Sequence, residues 1–108
     1  MMKYATAVMV FLSYTPLSAQ QLDMDFLIEE DEQAAGCLGA RVEGLDPNGD
    51  GFLAVRTGPG TNYRKIDELH NGEGVRPCVR NDNWWGVYYG NPRRKGWVHG
   101  NWLGRWVG

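Results

Sequence analysis

Histidine and cysteine are scarce in this sequence, two of each among 108 residues, and no CxxC pair is present. So few soft ligands at such spacing make a weak case for a structural zinc site. No GxxxxGK[ST] loop occurs, so the usual phosphate cradle is missing. No apolar run reaches the roughly 20 residues that a membrane-spanning helix needs. A dense basic face is absent too. From residue 33 onward ten Lys/Arg are interspersed with seven Asp/Glu, too small a surplus for a nucleic-acid surface. Between residues 23 and 32 there is no base at all, against six acids: Asp23, Asp25, Glu29, Glu30, Asp31 and Glu32.

The N-terminus carries what the rest lacks. Lys3 gives a short positive head, residues 4–12 (YATAVMVFL) are uncharged and apolar, and Pro16, Ser18 and Ala19 follow. That order reads as a secretory signal peptide over residues 1–19, cut after Ala19. No cysteine follows the apolar run to take a lipid anchor. The chain is therefore expected to be periplasmic or secreted, with no membrane span in the mature form. Residues 20–36 read as an acidic flexible arm. Leu22, Phe26 and Leu27 have the i, i+4, i+5 spacing of one helix face, but the like charges oppose a helix there. A poorly ordered segment is the preferred reading.

Residues 37–108 are then one small domain, with little apolar surface to set against chain entropy. Cys37 and Cys78 form an even pair in an exported chain, and a disulfide is favoured over two free thiols. Closing a loop of this length contributes roughly 4 kcal/mol in the chain-entropy picture. Fifteen glycines in the chain, most of them after residue 36, separate short runs rich in Val, Tyr and Trp. Strands are expected near 37–43, 52–56, 74–80, 84–89, 96–99 and 105–107, which makes an all-β barrel or sandwich. Alternation places Trp85, Val87 and Tyr89 on one face and Trp84, Gly86 and Tyr88 on the other. The same rule groups Val75, Pro77 and Val79 opposite Cys78. Pro77 cannot donate to a ladder, so its strand is expected at an edge or with a bulge. The strand after Cys37 would cover the side to which Cys78 points, stapled there by the disulfide.

Three stretches carry a family resemblance. Leu53-Ala54-Val55-Arg56-Thr57-Gly58-Pro59-Gly60-Thr61-Asn62-Tyr63 is similar to the LNVRSGPGTNY signature of bacterial SH3 domains (SH3b or SH3_3 type). Residues 66–75 (IDELHNGEGV) resemble that family's "I…L..G..V" segment. Trp84, Val87 and Gly96-Trp97-Val98-His99-Gly100-Asn101-Trp102-Leu103 resemble "W..V…GWVHSSYL". The resemblance implies a small SH3-like barrel, here with an extra N-terminal strand. It also implies binding rather than turnover, since many such domains serve exported proteins as cell-wall or peptide-binding modules. The chain lacks an ALYDY-type loop, so proline-peptide recognition is not implied. In the signature, Gly58-Pro59-Gly60 predicts a tight reversal using positive φ at glycine, with the Tyr63 ring laid back on the loop.

Two local motifs have plain readings. Asp46-Pro47-Asn48-Gly49-Asp50-Gly51 begins like a calcium loop, but its twelfth position is Thr57, where a bidentate acid is needed. A turn entering a strand is preferred, with weak calcium binding by Asp46, Asn48 and Asp50 as the alternative. Residues 91–95 (NPRRK) read as a solvated basic tip, with contact to peptidoglycan carboxylates or to the acidic arm as the alternative.

All five tryptophans lie beyond residue 83, too many for so small a barrel to bury completely. Tyr63, Trp84, Tyr88 and Trp102 are the candidates for a shallow aromatic groove, the kind of anchor that peptides and sugars use. A Cys–His hydrolase would need one of the two thiols free beside His70 or His99, and the expected disulfide removes both. The expected function is a non-catalytic envelope binding module, without cofactor or metal and monomeric. It would recognise peptidoglycan peptides or another envelope ligand. The alternative is a protein-interaction factor, an inhibitor or immunity-like partner of an envelope enzyme.

Overall fold

In the computed structural model of the protein, residues 21–27 and 37–108 are described. The signal-peptide reading of residues 1–19 lies outside them. The Val-rich runs between glycines do form strands: β1 (Gly39–Val42), β2 (Leu53–Arg56), β3 (Lys65–Leu69), β4 (Gly74–Asn81), β5 (Trp84–Tyr89), β6 (Arg94–His99) and β7 (Leu103–Val107). A single-turn 3-10 helix, Gly100–Trp102, separates the last two. The strands make one antiparallel sheet in the order β3-β2-β6-β5-β4-β1-β7, curled as a small SH3-like barrel. Its core is β-branched. Val42, Val55, Val87 and Val98 are fully buried, with Leu53, Leu69, Val75 and Leu103 around them.

One strand was not legible in advance. β3 reads Lys-Ile-Asp-Glu-Leu, without apolar alternation, yet it pairs with β2 at the end of the sheet. An edge strand tolerates charge on its flanks. Asp67 is also held from the neighbouring hairpin: the Tyr89 hydroxyl and Arg94 Nη1 each donate to its Oδ2 over 2.8 Å. Burial first, and then that hydrogen bond, raise the Tyr89 phenol well above its ordinary pKa.

β4 lies between β5 and β1, so Pro77 is not at an edge. The other expectation, a bulge, describes it: the register with β5 shifts between Pro77 and Val79. The extra residue at Cys78 alters the strand's alternation. Pro77 stands opposite Val87 on the inner face, whereas Val79 stands opposite Gly86 on the outer one. Simple alternation had grouped Val79 with Val75 and Pro77; the bulge turns it over. Cys78 bonds Cys37, 41 positions away. That staple holds the chain entering β1 beside the bulge, where Leu38 N–H donates to the Pro77 carbonyl at 2.9 Å. Among the described residues, no helix is long and apolar enough to cross a membrane.

Candidate functional site

Cross-strand pairing defines the outer face of the β5–β6 hairpin. Tyr88 stands opposite Lys95, Gly86 opposite Trp97 and Trp84 opposite His99. β2 extends this face, with Arg56 paired to Trp97. Three aromatic residues from two strands therefore share one surface, as alternation requires. The two ends of that surface differ.

At the Trp84 end the surface is hollow. The Trp84 and His99 rings meet edge to face, 5.1 Å between centroids. Trp102, on the 3-10 turn, faces the same cleft, which has a volume of about 420 Å³. Phe52, Arg56 and Lys65 complete most of its wall. Both cations are oriented: Arg56 Nη1 donates to the Tyr63 carbonyl at 3.0 Å, and Lys65 Nζ lies 2.6 Å from Glu68 Oε2 and 4.5 Å from the Phe52 ring centre. The result is an aromatic hollow with Arg56 and the Glu68-paired Lys65 on its rim and Asp50 also in its lining, suited to a ligand that carries both apolar surface and carboxylates.

At the Tyr88 end the surface is covered by the chain itself. Residues 23–26 lie across β6 and β5. Met24 N–H donates to the Thr57 carbonyl at 3.0 Å, and the Trp97 indole N–H donates to the Met24 carbonyl at 2.7 Å. Lys95 Nζ donates to the Phe26 carbonyl at 2.6 Å and pairs with Asp25 Oδ1 at 2.8 Å. The buried Thr57 hydroxyl donates to Asp23 Oδ2 at 2.5 Å. The Phe26 ring sits edge-on to Tyr88 and Trp97, at 5.6 and 5.5 Å. Gly86 leaves the space for it, because a Cβ there would come within 2.7 Å of that ring. Lys95 lowers the pKa of Asp25, chiefly through their hydrogen bond.

This segment departs from the poorly ordered arm expected over residues 20–36, and from the helical alternative. Its backbone groups bond to the barrel instead of closing a helical turn, and Leu27 is left exposed while Phe26 inserts. Residues 28–36 lie outside the described residues. The basic tip changes likewise: Lys95 meets the arm and Arg94 meets Asp67.

The four groove candidates are thus divided. Trp84 and Trp102 share the cleft. Tyr88 is on the same outer face but is buried beneath Phe26, with the Arg93 guanidinium 4.7 Å from its ring centre. Tyr63 serves its own loop: its ring fills the space above Gly58, where any Cβ would collide with it. Neither Gly58 nor Gly60 has positive φ, so these glycines provide room and not the expected left-handed turn. Sequence reasoning missed Phe52, Arg56 and Lys65 as cleft residues; Lys65 belongs to the unforeseen β3. A second hollow, about 440 Å³, lies between β1, β4 and the β5–β6 turn and is lined by Arg41, Arg76, Arg93, Arg105 and Tyr88. At the calcium-like motif, Asn48 N–H donates to Asp46 Oδ1 at 2.9 Å and Gly49 N–H to the Asp46 carbonyl at 3.0 Å, the geometry of a turn.

No curated protein and no solved structure matches the chain. Residues 51–104, half of its length, match the family model of the bacterial SH3 domain. They take in β2 to β6, the cleft lining apart from Asp50 and the barrel face under the arm, and the chain belongs to the bacterial SH3 domain family.

Proposed function

We propose that this protein is a non-catalytic binding module of the bacterial envelope, which takes peptidoglycan stem peptides in the cleft between Trp84 and Trp102. The observation that carries this reading is the pairing of two indoles with Arg56 and Lys65 around one hollow. Stem peptides combine short apolar side chains with free carboxylates, and each finds a counterpart there. Aromatic walls give contact area at low entropy cost, and the cations select for acid groups. The signal-like N-terminus and the Cys37–Cys78 disulfide support an exported location.

Sedimentation with purified sacculi tests the reading. The protein is expected to be retained, and Trp84→Ala and Trp102→Ala are each expected to reduce retention at least about tenfold, as loss of an aromatic anchor does. Retention that neither substitution changes would refute the cleft as the site. No retention at all would refute the ligand.

A further inference from the structure

The contacts made by residues 23–26 amount to a recognition rule. Two carbonyls and one amide of the segment are bonded by Thr57, Trp97 and Lys95, which reads a short main chain, bent at Asp23 and Met24, without regard to side chain. Side-chain selection comes from three positions. Asp23 accepts from Thr57, Asp25 pairs with Lys95, and Phe26 fills the space over Gly86 between Tyr88 and Trp97. Met24 points its side chain outward and is 41% exposed. The face therefore specifies acid, any residue, acid, aromatic.

We propose that the Tyr88–Trp97 end of the outer face of β5–β6 is a receptor for a short acidic-aromatic peptide of another protein, with the pattern Asp-x-Asp-aromatic. Residues 23–26 are its occupant in cis. Polar complementarity selects this partner, because Lys95 meets one carboxylate with opposite charge and the Thr57 hydroxyl meets the other with a hydrogen bond. A contact limited to one short segment opens at low cost, unlike the sheet beneath it. The segment is joined to Cys37 through only residues 28–36, and so close a tether competes at an effective concentration on the order of mM. The arm thereby sets a threshold: a partner must exceed that local concentration to bind. This end of the face lies apart from the Trp84–Trp102 cleft at the other end, and the proposal does not depend on what that cleft holds.

The test uses the full chain and a labelled synthetic peptide of residues 21–27. Phe26→Ala, which removes the inserted ring, is expected to bind the peptide at least about tenfold more tightly than the unsubstituted chain does, with the Trp97 indole N–H resonance shifting on binding. A peptide with both aspartates changed to asparagine is expected to bind at least about tenfold more weakly to the same variant. Lys95→Met in the Phe26→Ala chain is expected to lose that preference for the acidic peptide. Should Phe26→Ala fail to fold, the double substitution Asp23→Asn, Asp25→Asn lifts the arm without removing an apolar contact and replaces it. Equal affinity of the native and variant chains would overturn the proposal. So would indifference to the carboxylates. A native chain that is dimeric and dissociates on adding the peptide would make a second copy the occupant, and would overturn the partner as stated.

Discussion

The two ends of one outer face treat the same side chain in opposite ways. Trp97 is 4% exposed, whereas Trp102, beside the other end, is 39% exposed. Both indoles belong to segments that resemble the family signature, so residue type and motif do not separate them. The neighbours do. Trp97 stands opposite Gly86, which has no side chain, and the gap admits a ring from elsewhere in the chain. Trp84 stands opposite His99, whose ring already fills the corresponding position edge-on. A glycine on an outer strand face therefore marks where a segment can be received, and an aromatic pair marks where the surface stays open. The hydrogen bonds follow the same division, since the Trp97 N–H and the Thr57 hydroxyl both donate to the arm.

Truncating the two indoles separates the ends most sharply. Trp97→Ala removes a buried ring from beneath the arm and is expected to cost about 3–5 kcal/mol of unfolding free energy. Trp102→Ala removes a partly exposed ring and should cost under about 1 kcal/mol. Urea denaturation with unchanged slopes would measure both, and equal losses would erase the distinction. A smaller effect is expected at Gly86. A Cβ there lies 2.7 Å from Phe26 and 2.9 Å from Val79, and the arm is the part free to move. Gly86→Val should destabilise by about 1–3 kcal/mol, the usual cost of overfilling a packed site. It should also shift Trp97 emission to the red as water replaces Phe26. An unchanged emission would mean that the arm does not depend on that gap.

The barrel was largely legible from the chain and the arm was not, for a physical reason. β2, β5 and β6 declare themselves through alternation and glycine punctuation, signals contained within six or so residues. β3 escaped because its charges are satisfied in ways alternation does not register: Asp67 takes partners from Tyr89 and Arg94, and Glu68 pairs with Lys65 of the same strand. Val79 was put on the wrong face because a bulge at Cys78 breaks the period on which the inference relies. For the arm, local composition pointed away from order. Six acids within ten residues repel one another in an isolated segment. What holds residues 23–26 lies far along the chain, at Thr57, Gly86, Lys95 and Trp97. A signal was nevertheless present: Phe26 between acids in the arm, and a basic run before Trp97. Joining them needed the β6 register, which places Lys95 and Trp97 on the same face.

Acid should separate the two ends with the smallest effect. Lys95 holds the Asp25 carboxyl below its ordinary value of 3.8, so the docked arm prefers the ionised form. A depressed pKa contributes stability above the undocked value, and that contribution is lost as pH falls through the docked one. From neutrality down to about pH 4 the Trp97 indole N–H resonance is therefore expected to hold its position. Below 3.8 it should move toward an unbonded shift as Asp25 takes up its proton and releases Lys95. Asp25 is largely exposed, so solvent screens the pair and the change should be partial. Asp25→Asn should abolish it while leaving the Trp84 and Trp102 resonances as they were. If those two moved with Trp97 in the native chain, the titration would be reporting on the whole barrel, and the arm would have no acid response of its own.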